Sequence, residues 1–311
     1  MDKLVFDIGA TNTKFALMSP EGEILARETK PTNYQSVEDY LETMVSIAQN
    51  YRKSADSILI STNGRMKLDG TTYRAYADRV LEGLDLKAEM QQRCQLPVTV
   101  INDGSAAAIG EWWKGAGKGT DDLLVIVLGS GLGAGVIING ELYEGPHKNA
   151  AALFNMIKNY ENKEYSFASM TTSFVAQLYQ LAMAKDEPIE KVSGERYFEL
   201  VVQEDPVAIQ LFEGYCREIA VLTYNAAMLL NIDHIVITGG LAEQDLVIDG
   251  VNKKLAEISD NYLNGQLGQI ISQMLMDPKD VTLQVKKGRL TRDANLYGAF
   301  YHGSRKMNEK E

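Results

Sequence analysis

Apolar positions recur along this chain with two different periods. Leu4, Val5 and Phe6 form a short continuous apolar run ending in Asp7; Gly9-Ala10-Thr11-Asn12-Thr13 follows, then Lys14 and a second run, Phe15-Ala16-Leu17. Two apolar runs around a turn of small residues predict a β-hairpin, and residues 24–30 extend its sheet. Over residues 37–52 the spacing changes: Val37, Leu41, Met44, Val45, Ala48 and Tyr51 fall on one face of a helix. Residues 57–61 read as a strand, 86–94 as a helix, 98–101 as a strand ending in Asn102-Asp103, and 105–113 as the helix behind it. A second series opens with an apolar strand at 123–128. A glycine-rich turn over 129–135 leads to a strand at 136–139, and Asn139-Gly140 predicts a hairpin into 141–143. Helix dominates 170–230, with sustained periodicity over 213–230; a strand at 233–238 runs into Gly239-Gly240, a last strand covers 282–286, and a helix closes the chain over 293–302. This alternation predicts an α/β protein with polar residues at strand C-termini, where open sheets bind ligands. Both series begin strand, small-residue turn, strand, which indicates an internal duplication.

Composition narrows the class. A chain of 311 residues accommodates two domains, each with its own core. Without a Ser/Pro-rich linker, the two are expected to pack together. A net charge of −11 with no basic cluster argues against a nucleic-acid partner. The two cysteines, Cys94 and Cys216, lie far apart and indicate neither a disulfide framework nor a cysteine zinc site. No signal-type apolar segment and no run of membrane-spanning length stand out, so a cytoplasmic protein with no membrane partner is expected.

The first hairpin carries candidate chemistry. Small residues at its tip let the backbone approach a phosphate, and successive N–H groups there form an anion-binding concavity. Asp7 is placed to hold a hydrated Mg²⁺, and Thr11 and Lys14 reach towards phosphate oxygens. An ordinary hairpin with a polar tip fits the same residues.

Four segments in order sharpen this reading: Asp7-Ile8-Gly9-Ala10-Thr11-Asn12-Thr13-Lys14; Asn102-Asp103 ahead of Ala106-Ala107-Ala108-Ile109-Gly110-Glu111; Leu128-Gly129-Ser130-Gly131-Leu132-Gly133; and Ile237-Thr238-Gly239-Gly240. Together they resemble the ROK sugar-kinase family. The resemblance continues through residues 112–119 and 139–145 to Asp293-Ala294-Asn295-Leu296-Tyr297-Gly298-Ala299, similar to the family's C-terminal hinge helix. It implies the actin-like ATPase fold: α/β, two ribonuclease-H-like domains with an interdomain cleft. Residues 1–115, completed by the helix 293–305, would form the first domain and residues 116–292 the second. It further implies ATP-dependent transfer of the γ-phosphate to the hydroxyl of a hexose or β-glucoside-type sugar, with ATP and Mg²⁺ required, and a homodimer.

The same resemblance assigns roles. Asp103 is similar to the family's general base, with Asn102 hydrogen-bonding the sugar; a helix N-cap for the following run is the competing reading of that pair. Gly64 and Glu164, with Tyr165 beside it, join as candidate sugar contacts, although exposed loop positions explain Glu164 and Tyr165 equally well. Gly9, Ala10, Thr11, Asn12 and Lys14 belong to the nucleotide site. Gly129, Ser130 and Gly131 would cradle its β- and γ-phosphates, and Gly239 and Gly240 would let adenine lie against backbone.

The chain also departs from the family. Where the family's sugar-binding Glu and His stand, this sequence has Ala152 and Asn155, and the region 163–172 lacks the family's zinc-binding cysteines. No zinc is expected, as in a zinc-free branch similar to β-glucoside kinases, which residues 76–86 and the final helix also resemble. Alanine offers a sugar hydroxyl no partner. A degenerate relative that binds nucleotide or sugar with little turnover is therefore the alternative function. A repressor of the same family is set aside, because the hairpin begins at residue 4 with no room for a helix-turn-helix.

Overall fold

The computed structural model describes residues 1–9, 11–32, 34–67, 71–74, 82–157, 173–264 and 282–308. Its first sheet contains β1 (Asp2–Ile8), β2 (Asn12–Met18), β3 (Ile24–Pro31), β4 (Ala55–Thr62) and β7 (Val98–Asn102), in the order β3-β2-β1-β4-β7. β5 (Arg65–Met66) and β6 (Thr72–Arg74) form a separate two-stranded ribbon. β1 pairs antiparallel with β2 and parallel with β4, and β4 pairs parallel with β7. β1 is buried on both faces from Leu4 to Ile8, which explains its unbroken apolar run. β3 is almost wholly exposed and carries Arg27, Glu28, Lys30 and Pro31, residues that blunt a sheet edge.

The second sheet holds β8 (Leu123–Leu128), β9 (Leu132–Ile138), β10 (Glu141–Leu142), β11 (Ile235–Thr238) and β12 (Val285–Lys287), in the order β10-β9-β8-β11-β12. Numbered within its own sheet, each set of five runs 3-2-1-4-5, so the duplication read from the sequence is present in the topology. β9 begins four residues earlier than its apolar run suggested, at Leu132. Gly135 belongs to this strand because a Cβ there would lie 2.6 Å from Ala108 Cβ and from the Gly104 carbonyl oxygen. It is a packing residue, and the turn proper shrinks to residues 129–131.

By its contacts the chain divides into residues 1–126 with 134–151 and 288–311, and residues 127–133 with 152–287. In the first unit, α1 (Val37–Asn50) and α2 (Leu86–Cys94) cover one sheet face through Tyr40, Leu41, Met44, Leu86 and Met90. The other face carries α3 (Asp103–Trp113) and the closing helix α8 (Ala294–Asn308). These two helices touch backbone to backbone: a Cβ at Gly298 would stand 1.7 Å from the Ala106 carbonyl oxygen, and one at Gly110 would stand 2.1 Å from that of Ala294. Trp113 stacks on Phe300 at 5.7 Å, completing that packing. Glu111 is fully buried; its carboxylate accepts from the backbone N–H of Ala116, Arg289, Leu290 and Thr291 and fixes the approach to α8.

In the second unit, α4 (Phe174–Lys185), α5 (Gly194–Val202), α6 (Pro206–Leu230) and α7 (Asp245–Asn264) account for the long helical stretch. Asp205 caps α6 ahead of Pro206 at its first turn, and Asn231 ends it in the left-handed region at φ 54°. Among the described residues, no helix is long and apolar enough to cross a membrane.

Candidate active site

In the first unit the parallel strands β1, β4 and β7 end side by side, and their C-terminal residues gather the candidate chemistry. Register places Asp7 beside Ser61 and Thr62 beside Asn102. Asp7, 4 % exposed, has one carboxylate oxygen paired with Lys14 Nζ at 2.9 Å and the other accepting from Asn295 Nδ2 at 2.9 Å. Lys14 Nζ also donates to the Arg292 carbonyl oxygen. The hairpin tip is closed by Gly9 N–H to the Asn12 carbonyl oxygen at 3.0 Å; Thr11 and Asn12 are exposed there. Ala10 lies outside the described residues, as do Glu164 and Tyr165.

The capping geometry of Asn102-Asp103 is explicit in the structure. Asn102 is the N-cap of α3: its Oδ1 accepts from Gly104 N at 3.0 Å and Ser105 N at 3.3 Å, while its Nδ2 donates to the Gly64 carbonyl oxygen at 2.9 Å. That last bond reaches a glycine held at φ 100°, a conformation that favours a residue without a side chain. Asp103 opens the helix two residues earlier than expected from the apolar pattern, because the cap is Asn102. Its Oδ1 accepts from Gly104 N at 2.8 Å. Burial pushes the Asp103 carboxyl up to about 6, and the charge of Asp7 adds to the rise; hydrogen bonding from Gly104 N–H and the Asn102 amide opposes it. A helix N-terminus favours an ionised carboxylate, so the rise stands against that local field.

In the second unit the turn after β8 is closed by Gly129 N–H to the Gly131 carbonyl oxygen at 3.1 Å, and Ser130 is exposed, its carbonyl oxygen accepting from Ser173 Oγ at 2.9 Å. A Cβ on Gly129, Gly131 or Gly240 would meet no atom within 4 Å. Among the described residues, no packing contact requires glycine there. Gly239 differs: its φ is 94° and a Cβ would stand 2.5 Å from the Leu128 carbonyl oxygen, so the fold itself demands it. Ala152 is half-buried ahead of a single 3-10 turn, Leu153–Asn155, in which Asn155 is exposed. Among the described residues, no three His, Cys, Asp or Glu side chains are grouped to hold a metal ion.

Sequence reading missed three residues of this site. Asn295, in the first turn of α8, holds Asp7 from nearly three hundred residues away, a contact no local pattern announces. Ser61 and Asn63, at and just beyond the end of β4, are buried at 0 % and 7 % exposure. The Ser61 hydroxyl and both amide atoms of Asn63 have no partner among the described residues. The signal that drew attention to Asn102-Asp103, polar residues closing an apolar parallel strand, is equally present in Ser61-Thr62-Asn63.

Comparison with known proteins places the chain. The sequence model of the ROK family matches residues 4–161 and 172–282. A β-glucoside kinase of Listeria monocytogenes is 28% identical over 249 residues, covering 78% of this chain and 84% of that protein. A glucokinase of Halalkalibacterium halodurans is 26% identical, covering 76% and 79%. Among solved structures, a ROK glucokinase from Streptomyces griseus in complex with glucose and AMPPNP superposes with a TM-score of 0.80 at 25% identity, over 97% of this chain and 99% of that one.

Proposed function

The chain belongs to the ROK family, and from that premise we propose that it is an ATP-dependent kinase whose acceptor is a sugar hydroxyl, of the hexose or β-glucoside type. The observation that carries this reading is Asp103: a carboxyl raised to about 6 at the end of a parallel strand, relieved of the capping duty by Asn102. A group with that proton affinity is ionised near neutrality and still basic enough to take a proton in a transition state. In the proposed step the sugar oxygen attacks the γ-phosphorus, its proton passes to the Asp103 carboxylate, and the bond from the γ-phosphorus to the bridging oxygen breaks, releasing ADP. Asn102, whose amide donates to the Gly64 carbonyl oxygen beside Asp103, is the proposed sugar contact. The relatives named as β-glucoside kinase and glucokinase, and the glucose and AMPPNP bound by a structural neighbour, support the same class of acceptor and donor.

For the nucleotide, the hairpin tip with Gly9, Thr11, Asn12 and Lys14 and the open glycines Gly129, Gly131 and Gly240 are the proposed contacts, Ser130 adding a hydroxyl. Space beyond three glycine Cα atoms, into which no atom of the described residues reaches, is what close approach of a ligand to backbone requires. Gly129 N–H closes its own turn, so close approach of a phosphate is proposed at Ser130 and Gly131. Asp7 suits a hydrated Mg²⁺: each oxygen takes one hydrogen bond, and a carboxylate has about four acceptor positions, leaving room for metal-bound waters. Mg²⁺ supplies charge neutralisation at the phosphates. Ala152 favours the second reading, a binding protein with little turnover.

An ADP-release assay with ATP and Mg²⁺ across hexoses, amino sugars and β-glucosides separates the two. Sugar-stimulated release supports the kinase; sugar binding without stimulation supports the degenerate relative.

A further inference from the structure

We propose that the end of β4 is itself a sugar-binding element, in which the Asn63 amide, with the Ser61 hydroxyl behind it, takes a pair of adjacent hydroxyls of the acceptor. This rests on the sugar-kinase reading and adds a specificity determinant to it. Side chains alternate across the sheet along a strand. Ile58 and Ile60 enter the core under α1 and α2, whereas Leu59 meets Gly303 of α8 on the opposite face. Ser61 shares the face of Leu59, with Asp7 its registered neighbour on β1. β4 ends at Thr62 between Ile8 and Asn102, so Asn63 follows β4 as Gly9 follows β1 and Asp103 follows β7, in one row of residues at the strand ends.

Three polar atoms in this row, Ser61 Oγ and Asn63 Oδ1 and Nδ2, are buried with no partner among the described residues. Buried amides are ordinarily fully hydrogen-bonded, and one left without partners is a cost to the fold. The surroundings choose the class of group that would satisfy them. Asp7 and Asp103 flank the row with acidic groups, and Lys14 is already paired with Asp7, so a phosphate is disfavoured here. A neutral group offering both a donor and an acceptor fits. Adjacent sugar hydroxyls do so, one donating to Oδ1 and the other accepting from Nδ2. This would give the chain a means of hydroxyl recognition separate from position 152, where it carries only a methyl group.

The test compares wild type with Asn63→Ala and Ser61→Ala by three readouts: melting temperature, calorimetric sugar affinity without nucleotide, and steady-state kinetics over a monodeoxy series of the best-bound sugar. We expect Asn63→Ala to melt at or above the wild-type temperature, because removing an unpartnered buried amide does not weaken the fold. Sugar affinity should fall about tenfold or more, with KM for sugar rising in step and kcat and the KM for ATP within about threefold of wild type. For one or two deoxy positions the penalty should vanish, which identifies the hydroxyls held. A variant that melts lower yet binds sugar as wild type does, or one equally weakened for every deoxy analogue, overturns the proposal. Should wild type bind sugar without transferring phosphate, the kinase reading falls and Asn63 is judged on calorimetry alone. If wild type binds no sugar of the panel, both fall.

Discussion

Replacing Asp103 with Asn should remove catalysis and at the same time stabilise the protein. The side-chain shape is kept, and an amide oxygen can still accept from Gly104 N–H, now 2.8 Å from Oδ1. What is lost is a carboxylate whose protonation is pushed from 3.8 up to about 6 by burial and by Asp7. At about 1.4 kcal/mol per tenfold change in proton affinity, holding it ionised costs the native state at most about 3 kcal/mol. Asp103 is only half-buried, so solvent screening reduces this to roughly 1–2 kcal/mol. Because the folded value lies above the unfolded one, the cost is absent below about pH 4, grows between about 4 and 6, and is complete above about 6. The variant should therefore melt higher than wild type at neutral pH, by about 2–4 °C for each kcal/mol, and lose that advantage near pH 4. Calorimetry across that range measures it. In parallel, kcat should fall by several orders of magnitude, and wild-type kcat/KM should decline as pH drops through about 6, where the base protonates. A variant that melts lower at neutral pH, as loss of a structural cap would cause, or whose advantage ignores pH, refutes the reasoning.

Other substitutions probe the remaining assignments. Gly131→Ala places its methyl where no atom of the described residues lies, so stability should hold while KM for ATP rises about tenfold or more; an unchanged KM removes the turn from the nucleotide site. Glu111→Ala strips the acceptor from four part-buried backbone N–H groups and should cost roughly 2–4 kcal/mol in urea denaturation, and an unaltered midpoint would contradict that role. Ala152→Glu should lower KM for glucose-like sugars about tenfold if the position faces the acceptor. Harm to the native substrate instead would indicate an acceptor lacking that hydroxyl, and no response from any sugar would show that 152 lies away from it. Elemental analysis should find no stoichiometric zinc, with activity dependent on Mg²⁺ and insensitive to zinc chelators.

Strand and helix positions were legible wherever burial is one-sided or continuous. α2 was read to the residue because Asp85 caps its start and Gln95 turns left-handed at its end. The pattern failed where small residues have two uses: Gly135 reads as part of a phosphate turn but is a strand residue pressed against α3. It also failed at distance, since Asn295 on Asp7 and Glu111 on residues 289–291 bring together parts of the chain remote in sequence. At Asn102-Asp103 the sequence left open which residue caps the helix, and the structure gives the cap to Asn102. Asn63 escaped notice because a polar residue after a strand is ordinary until its burial and lack of partners are known.

The central claim is transfer of phosphate to a sugar. Its most direct test is mass spectrometry of the sugar after incubation with ATP, Mg²⁺ and the purified protein. A sugar monophosphate should form in equal amount to ADP with wild type and be absent with Asp103→Asn. ADP formed without any phosphorylated sugar, or a sugar phosphate yield unchanged by Asp103→Asn, would contradict it.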